Sequence, residues 1–411
     1  MDGRERFVPQ RVGQLMRELA DLPWRGASDA ENFRSLARLV SALYHFEFHD
    51  REQSVIEAWE RAADDAVAGE TVRRELIGLL QRANYVEVTM EELHDAMARE
   101  SLTPLRLHVD LDDYGELLIY RRGSRRQTVD IPKWKGLRTE ERTITVEDRV
   151  VVLTRVKPKT WFDGRGIDPA QRNLVPGHLS LKQFQNVPRA DIEMLLPSTQ
   201  VRLRPIDSLL VGLPAVASGI VVLATKLLPT LGLMFVLIGA WLGVRDEQPE
   251  LDQGALVALF GGLIALGGFL VRQWTKLKNR RLRYLKTLSE TLYFRTLADG
   301  PGVLHTLLSS AEQQEVIEVI LAYRFLLDAP GGLTRDDLDR DVERWLRSVC
   351  HRDVDFEIDD ALAKLRGLEL VESAPLLRSR PLPEALARLD HRWDDLFRHQ
   401  SDGGTVPVTG Q

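Results

Sequence analysis

Three apolar stretches follow one another in the middle of this chain, and they constrain its fold more than any other feature. They cover residues 209–224, 227–244 and 254–271. The second and third each run for about 18 residues without a charged side chain, close to the minimum for a helix that crosses a bilayer. A buried helix of a soluble domain normally keeps one polar stripe. The pattern therefore predicts a membrane protein with a central two-helix hairpin.

The first apolar stretch, residues 209–224, leaves two interpretations open. It contains Pro214, and Lys226 closes it with almost no room for a turn before the next stretch. It fits an apolar lead-in that is interfacial or re-entrant, or part of a tilted and kinked first span. If it crossed as a third span, the two termini would lie on opposite sides of the membrane.

Charges beside the apolar stretches set the predicted orientation. The loop at residues 245–253 carries four acidic residues and one arginine. Basic residues follow the last stretch closely: Arg272, Lys276, Lys278, Arg280, Arg281 and Arg283. Because Lys- and Arg-rich flanks stay on the cytoplasmic side, both soluble parts are predicted to be cytoplasmic. The lipid bilayer is the first predicted partner, and the basic run could also attract its anionic headgroups.

Small residues recur at four-residue spacing in the two main stretches, where they would let helix backbones approach closely. These residues are Gly239, Gly243, Gly254, Ala258 and Gly262. They predict that the hairpin packs against itself, with a homodimer contact as the alternative. Neither stretch contains an ionisable side chain, which argues against a pump or a transporter.

The composition of the chain limits the cellular compartments and the binding partners that we expect for it. The net charge of −6 is mild, so nucleic acid is an unexpected partner for a chain without a basic footprint. Cys350 is the single cysteine, so no intrachain disulfide can form, which fits a reducing compartment. Residues 1–20 resemble neither a secretory signal nor a transit peptide. With the Arg-rich composition, these features predict the cytoplasmic (inner) membrane of a bacterium.

The chain divides into five predicted regions that together make an α+β membrane protein. They are a helical N-terminal region at 1–100, a small antiparallel β section at 101–206, the membrane region at 207–274, a C-terminal domain at 275–400 and a disordered tail at 401–411. In the first region, apolar residues from Phe33 to Tyr44 fall on one helix face, and those from Val55 to Ala63 predict a second helix.

The C-terminal region predicts a winged-helix-like α+β domain. Helices are expected at residues 311–327, from Thr334, whose side chain caps the second one, and at 356–368. A strand–turn–strand wing follows at residues 370–380. The third helix opens with acidic residues, which would repel phosphates. A protein-interaction or structural role is therefore favoured over DNA binding.

One pair of residues invites a metal-site hypothesis. His45 and His49 are four residues apart on a predicted helix, a spacing that could hold a metal. The string H-F-E-F-H is not the H-E-x-x-H arrangement of zinc proteases, and no second ligand cluster is evident. Packing or solvent-facing histidines are the favoured interpretation, and no cofactor is expected.

Several strings together resemble an uncharacterised membrane family that includes transmembrane protein 143 of eukaryotes. They are Arg4–Pro9, Phe46–His49, Leu117–Gly123, Lys182–Pro197, Leu292–Phe294 and Leu321–Leu327. The most specific string contains Pro188, Asp191, Glu193 and Pro197, whose roles are unknown. The resemblance implies two membrane spans and no established activity, and it supplies no catalytic residues.

The sequence leaves three functions open. The favoured hypothesis is a membrane-anchored, non-enzymatic scaffold or regulator whose cytoplasmic domains bind a protein partner or a second copy. The first alternative is an enzyme at the membrane surface, a hydrolase or a metal-dependent one, with an unrecognised site among His45, His49, Asp191 and Glu193. The second alternative is an oligomeric channel packed through the small residues.

Overall fold

The computed structural model describes residues 4–26, 28–98, 106–133, 138–202, 292–373 and 375–396, with isolated positions between 257 and 290. Contacts within the chain separate two compact units. The first unit combines segments within 1–98, 111–192 and 295–411, and the second combines 99–110 with 193–294. The first unit therefore draws on N-terminal, β-rich and C-terminal segments of the chain.

The helices described in the first unit are α1 (Val12–Ala20), α2 (Asp29–Arg61), α3 (Ala66–Arg82), α4 (Met90–Ala98), α5 (Lys159–Asp163), α6 (Pro301–Asp328), α7 (Arg335–Cys350), α8 (Ile358–Gly367) and α9 (Leu382–Asp395). Its strands are β1 (Val86–Glu87), β3 (Tyr114–Lys133), β4 (Arg138–Val156), β5 (Leu179–Pro188), β7 (Thr296–Asp299), β8 (Val371–Ser373) and β9 (Leu377–Ser379). In the second unit, β2 (Arg106–His108) pairs antiparallel with β6 (Gln200–Arg202).

The main sheet of the first unit has the strand order β1-β3-β4-β5-β7, and every pairing in it is antiparallel. This confirms the predicted α+β class with an antiparallel sheet. Strands β3 and β4 form a long hairpin that extends past the strands on either side. Beyond Arg125 and Val146, their residues pair only with each other in the described part of the sheet.

Helix α6 is the centre of the hydrophobic core. Residues on all its faces are buried, including Val319, Ile320 and Leu321, because α2, α3, α7 and α8 pack around it. Side chains of the sheet, such as Leu153 and Leu181, join the same cluster. The apolar face predicted for the first part of α2 is buried in this core.

The C-terminal segment contains three helices and then a β-hairpin, in the order α6, α7, α8, β8 and β9. The predicted cap of α7 is confirmed, because the Thr334 hydroxyl accepts a hydrogen bond from the Asp337 N–H at 3.2 Å. The winged-helix comparison itself stays a prediction. The predicted tail at residues 401–411 lies outside the described residues.

The predicted membrane fold is contradicted. Among the residues that the structure describes, no helix combines the length and the apolar character needed to cross a membrane. The longest described helices, α2 and α6, have sufficient length, but both carry charged side chains along their course. The lead-in at 209–224 and the span at 227–244 lie outside the described residues, and 254–271 is described only at scattered positions.

This correction extends to the multi-pass assignment, the inner-membrane location and the channel alternative, which all depended on those spans. The five small residues predicted to pack the hairpin lie outside the described residues: Gly239, Gly243, Gly254, Ala258 and Gly262. Of the predicted basic residues, Arg272 and Lys278 are exposed on helical segments. The others lie outside the described part of the chain: Lys276, Arg280, Arg281 and Arg283.

The turn between α6 and α7 depends on Gly332, whose φ of +87° favours glycine. A Cβ at this position would lie 2.8 Å from the Leu376 Cβ and 3.1 Å from the Leu377 carbonyl oxygen. We expect Gly332→Ala to lower the free energy of unfolding by about 1–3 kcal/mol in urea titrations. The matched control is Gly331→Ala, because a Cβ there meets nothing within 4 Å, and its cost should stay below about 0.5 kcal/mol.

Candidate functional site

A pocket of about 680 Å³ lies where the N-terminal segment, the main sheet and α6 meet. We call residues 4–11 the N-terminal strap and this cavity the arginine pocket. Its volume falls within the range of about 300–1,000 Å³ that is typical of small-molecule sites. Three arginines line it, Arg11 from the strap, Arg122 from β3 and Arg149 from β4. No carboxylate is among its described lining residues.

The three guanidinium groups of the arginine pocket have no acidic partner among the described residues. Within the described ranges, none of them lies within ion-pair distance of a carboxylate. Asp148 acts weakly on Arg122, but its carboxylate oxygens contact Arg125 at 2.6 Å and Arg352 at 3.2 Å. The pocket therefore holds positive charge that the described protein groups do not neutralise.

Arg122 is the most deeply placed of the three arginines. Its guanidinium carbon lies 4.4 Å from the centroid of the Phe7 ring and 4.6 Å from that of Tyr85, both within cation–π range. One Nη donates to the Ala83 carbonyl at the end of α3, at 3.0 Å. The buried Nε has no hydrogen-bond partner in the described part of the chain. Burial is the main cause that lowers the pKa of Arg122, and the positive charge of Arg149 adds to it.

The register of the sheet places Arg122 and Arg149 directly opposite each other on β3 and β4. Like charges in directly opposite cross-strand positions are destabilising. Arg149 donates to the Asp148 carbonyl at 3.0 Å and to Gln185 at 3.4 Å, so its contacts leave the repulsion uncompensated. An anion between the two guanidinium groups would convert this repulsion into attraction.

Two buried side-chain amides hold the elements around the arginine pocket in place through hydrogen bonds. The Gln183 side chain donates to the Tyr85 hydroxyl at 2.8 Å and accepts from the Thr306 hydroxyl at 2.7 Å. The Gln314 side chain of α6 accepts from the Val8 N–H and donates to its carbonyl, both at 3.2 Å. These contacts hold β5, α6 and the strap in fixed positions around the cavity.

The strap also contacts the C-terminal helices. Arg4 pairs with Glu343 of α7 at 2.9 Å and with Asp355 at 3.2 Å, and Arg6 pairs with Glu357 at 3.1 Å. The Glu5 carbonyl accepts from the Asp355 N–H at 2.8 Å. One short segment therefore lines the pocket and contacts the helices that follow α6.

Histidines and glutamates form a strip between α2 and α6 beside the pocket. His45 lies 3.2 Å from Glu312, and Glu52 contacts His305, which also lines the arginine pocket. His49 lies 3.7 Å from the other oxygen of Glu52. The two histidines singled out in the sequence are thus exposed and paired with acids. Among the described residues, no group of three or more potential ligands could hold a metal.

The residues of the most specific family string occupy the end of β5 and the segment after it. Pro188 closes β5 and pairs in register with Val146. Asp191 and Glu193 are buried in the short 3₁₀ segment Arg189–Leu195, and Pro197 is exposed in the following turn. Arg295 interacts electrostatically with Asp191. These contacts are consistent with a structural role for the string.

A second polar group, which we call the buried ion cluster, lies in the core at the centre of α6. Glu315 contacts Arg82 of α3 at 2.7 Å and Lys364 of α8 at 2.9 Å. Glu318 also pairs with Lys364 and accepts from Asn84 at 3.0 Å. Burial alone would lower the pKa of Lys364, but the carboxylates of Glu318 and Glu315 raise it overall. The cluster ties α3, α6 and α8 together.

Glu318 gives the stability of the fold a specific pH dependence. Burial raises its pKa from 4.5 to about 7, although Lys364 opposes the shift. Between these values the folded state binds more protons than the unfolded state, so stability falls as pH rises. Between pH 5 and pH 8, the free energy of unfolding measured by urea titration should fall by about 1–3 kcal/mol less in Glu318→Gln than in the unsubstituted chain. Glu70→Gln, at an exposed position, should leave the decline unchanged.

Local sequence patterns assign no role to the residues of the arginine pocket. Arg122 belongs to a string quoted for the family resemblance, yet nothing in its neighbours distinguishes it from Arg121 or Arg125. The available signal is the β3–β4 register, which sets Arg122 opposite Arg149. That register is visible only once the strands are paired.

Comparison with known families gives one match. Residues 148–302 match the model of a family described as a protein of unknown function (DUF3754). No solved structure matches the chain. The resemblance to the transmembrane protein 143 family stays a prediction. The matched segment includes Arg149, Gln183 and the specific string Lys182–Pro197. The chain is thus similar, over this segment, to a domain of unknown function, and the match assigns it no chemistry.

Proposed function

We propose that this chain is a non-enzymatic regulator that binds a small anionic ligand in the arginine pocket. The observation that carries the proposal is the set of three arginines, Arg11, Arg122 and Arg149, around a cavity whose described lining holds no carboxylate. The cost is greatest for Arg122, the most deeply placed of the three, because its desolvation is not offset by a contacting carboxylate among the described residues. A bound anion would supply that charge.

The hydroxyl and amide groups of the pocket favour binding over chemistry. Thr306, Ser309 and Ser310 of α6 line it, together with amide side chains that include Gln10 and Gln313. The hydroxyls of Thr306 and Ser310 already donate within the protein. The Ser309 hydroxyl and the amide NH₂ groups, next to the guanidinium groups, are donors that an anion can accept from. The arrangement supports a site that holds its ligand.

The strap connects the arginine pocket with the C-terminal helices of the proposed regulator. It contributes Phe7, Pro9, Gln10 and Arg11 to the pocket and contacts α7 through Arg4. A ligand that contacts Arg11 would favour the strap position that the structure shows, since it would bind that position more tightly than any other. In this proposal the strap transmits the effect of ligand binding to the C-terminal helices, where a protein partner or a second copy of the chain binds.

Hydrogen–deuterium exchange of the full chain tests this proposal, with inorganic phosphate as the probe and chloride at equal ionic strength as the reference. Phosphate should slow amide exchange in residues 4–11 and at the start of α8. The control is Arg126→Gln, which removes an exposed arginine of β3 that does not line the pocket. It should keep the response, and Arg149→Gln should lose it. Unchanged exchange at saturating phosphate would count against the regulator.

A hydrolase is the second candidate, favoured by one specific contact. His305 is hydrogen-bonded to Glu52 and lies one helical turn before Ser309, and both line the arginine pocket. A carboxylate that orients an imidazole near a hydroxyl is the arrangement of an activated nucleophile. Turnover of p-nitrophenyl phosphate or acetate that His305→Ala abolishes would favour this candidate. The regulator proposal expects no turnover above background.

A further inference from the structure

We infer that the ligand of the arginine pocket is a small phosphate monoester, held between Arg122 and Arg149. This inference rests on the proposed function and adds the chemical class of the ligand. It follows from the charge of the pocket, from the shape of its donor groups and from the space beside them.

The charge of the pocket favours a dianion. Three arginines line the cavity, and two of them, Arg122 and Arg149, face each other across the strand pair. A carboxylate or a sulfate ester carries one negative charge and would leave at least two guanidinium charges without compensation. A phosphate monoester carries about −1.5 to −2 charges at neutral pH and comes closer to neutrality.

The donor geometry favours a tetrahedral group. The planar fork of an arginine binds phosphate oxygens in pairs, and arginine is the preferred residue where such binding matters. One Nη of Arg122 donates to the Ala83 carbonyl, so among the described contacts its second Nη remains available to a ligand. The hydroxyl of Ser309, on the α6 side, can donate to a remaining oxygen, whereas that of Ser310 already donates to the Thr306 carbonyl at 2.7 Å.

The space beside the arginines favours an organic phosphate over the free ion. A volume of about 680 Å³ greatly exceeds that of one phosphate group. Its remaining lining is mixed: Gln10, Gln14 and Gln313 offer amide groups, and Phe7 and Leu297 offer apolar surface. Amides suit the hydroxyl groups of a polar body such as a sugar, and the Phe7 ring provides a flat surface against which it can pack.

A matched pair of ligands tests the inference on the full chain by calorimetric titration at fixed pH and ionic strength. Glucose 6-phosphate and glucose 6-sulfate share the same body and a tetrahedral head, and they differ by about one charge. We expect glucose 6-phosphate to bind at least about tenfold more tightly than either glucose 6-sulfate or inorganic phosphate. Glucose itself should not bind. Arg149→Gln should lower the affinity for glucose 6-phosphate by at least about tenfold, and Arg126→Gln should leave that affinity unchanged.

Some of the other outcomes overturn this inference alone, and others overturn the proposed function as well. Equal affinity for the two esters, or binding of citrate but of neither phosphate, would overturn the phosphate class and leave an anion-binding regulator standing. No binding of any anion would overturn both. Unchanged affinity in Arg149→Gln would also overturn both, because the site would then lie elsewhere. Arg11→Gln, at an exposed rim position, repeats the test at a site where misfolding is not a concern.

Discussion

Lys364→Met is expected to lower the free energy of unfolding by about 3–5 kcal/mol, because it leaves buried carboxylates without their shared cation. Lys364 is only 11% exposed and contacts Glu315, Glu318 and Asp360. After the substitution, Glu315 would keep Arg82, but Glu318 would keep only the Asn84 amide. Urea titration at pH 8, where Glu318 is ionised, should show the largest effect.

The matched control for Lys364→Met is Arg340→Met on α7. Arg340 is 61% exposed and pairs with Asp337 at 2.9 Å on the surface of the helix. Exposed ion pairs of this kind contribute between about 0 and 1 kcal/mol. If the two substitutions proved equally mild, Lys364 would not be the cation that holds the buried ion cluster together.

Arg149→Gln is expected to change binding and stability in opposite directions. It removes half of the arginine pair that faces the ligand, so affinity for a phosphate ester should fall by at least about tenfold. It also removes the repulsion between Arg122 and Arg149, so the ligand-free chain should become more stable by about 0.2–1 kcal/mol. Titration calorimetry measures the first effect and urea unfolding without ligand the second.

The opposite signs separate a ligand-binding role from a structural one. If Arg149 served only to hold the sheet through its contacts with Asp148 and Gln185, its removal would lower stability and leave affinity unchanged. Arg126→Gln provides the comparison, since it removes an arginine from β3 outside the pocket. It should change neither quantity appreciably.

The helices were the most predictable part of the fold, and the interruption of α2 was the main error among them. Apolar residues at helical spacing located most of the helices, and Thr334 marked the start of α7. The apolar pattern predicted one helix with the face from Phe33 to Tyr44 and a second helix from Val55 to Ala63. The helix instead continues to Arg61, because Phe48 is buried on one face and His45 pairs with Glu312 of α6.

The strands were harder to predict for two physical reasons. The outer part of the β3–β4 hairpin pairs only with itself, and its described side chains are largely exposed, so it lacks the alternation that marks a half-buried strand. Strand β5 was missed because its sequence, Leu179–Pro188, mixes polar and apolar residues on both faces. Pairing with β4 and β7 holds it in the sheet.

The candidate site could not be predicted from local patterns. Its residues come from the strap, α1, four strands and α6, and the interactions that make it unusual are long-range. Arg122 and Arg149 become neighbours through strand pairing alone, and Phe7 reaches Arg122 from the far end of the chain. The prediction of membrane spans came from the strongest local signal, and it is also the prediction that the described helices contradict.

Binding of an anion in the arginine pocket is tested by titrating the full chain with inorganic phosphate at constant ionic strength and measuring the heat in a calorimeter. We expect saturable binding at one site per chain, retained in Arg126→Gln and lost in Arg149→Gln. Heat that rises linearly with phosphate and never saturates would contradict the claim that the arginine pocket is an anion site. So would saturable binding that is the same in both variants.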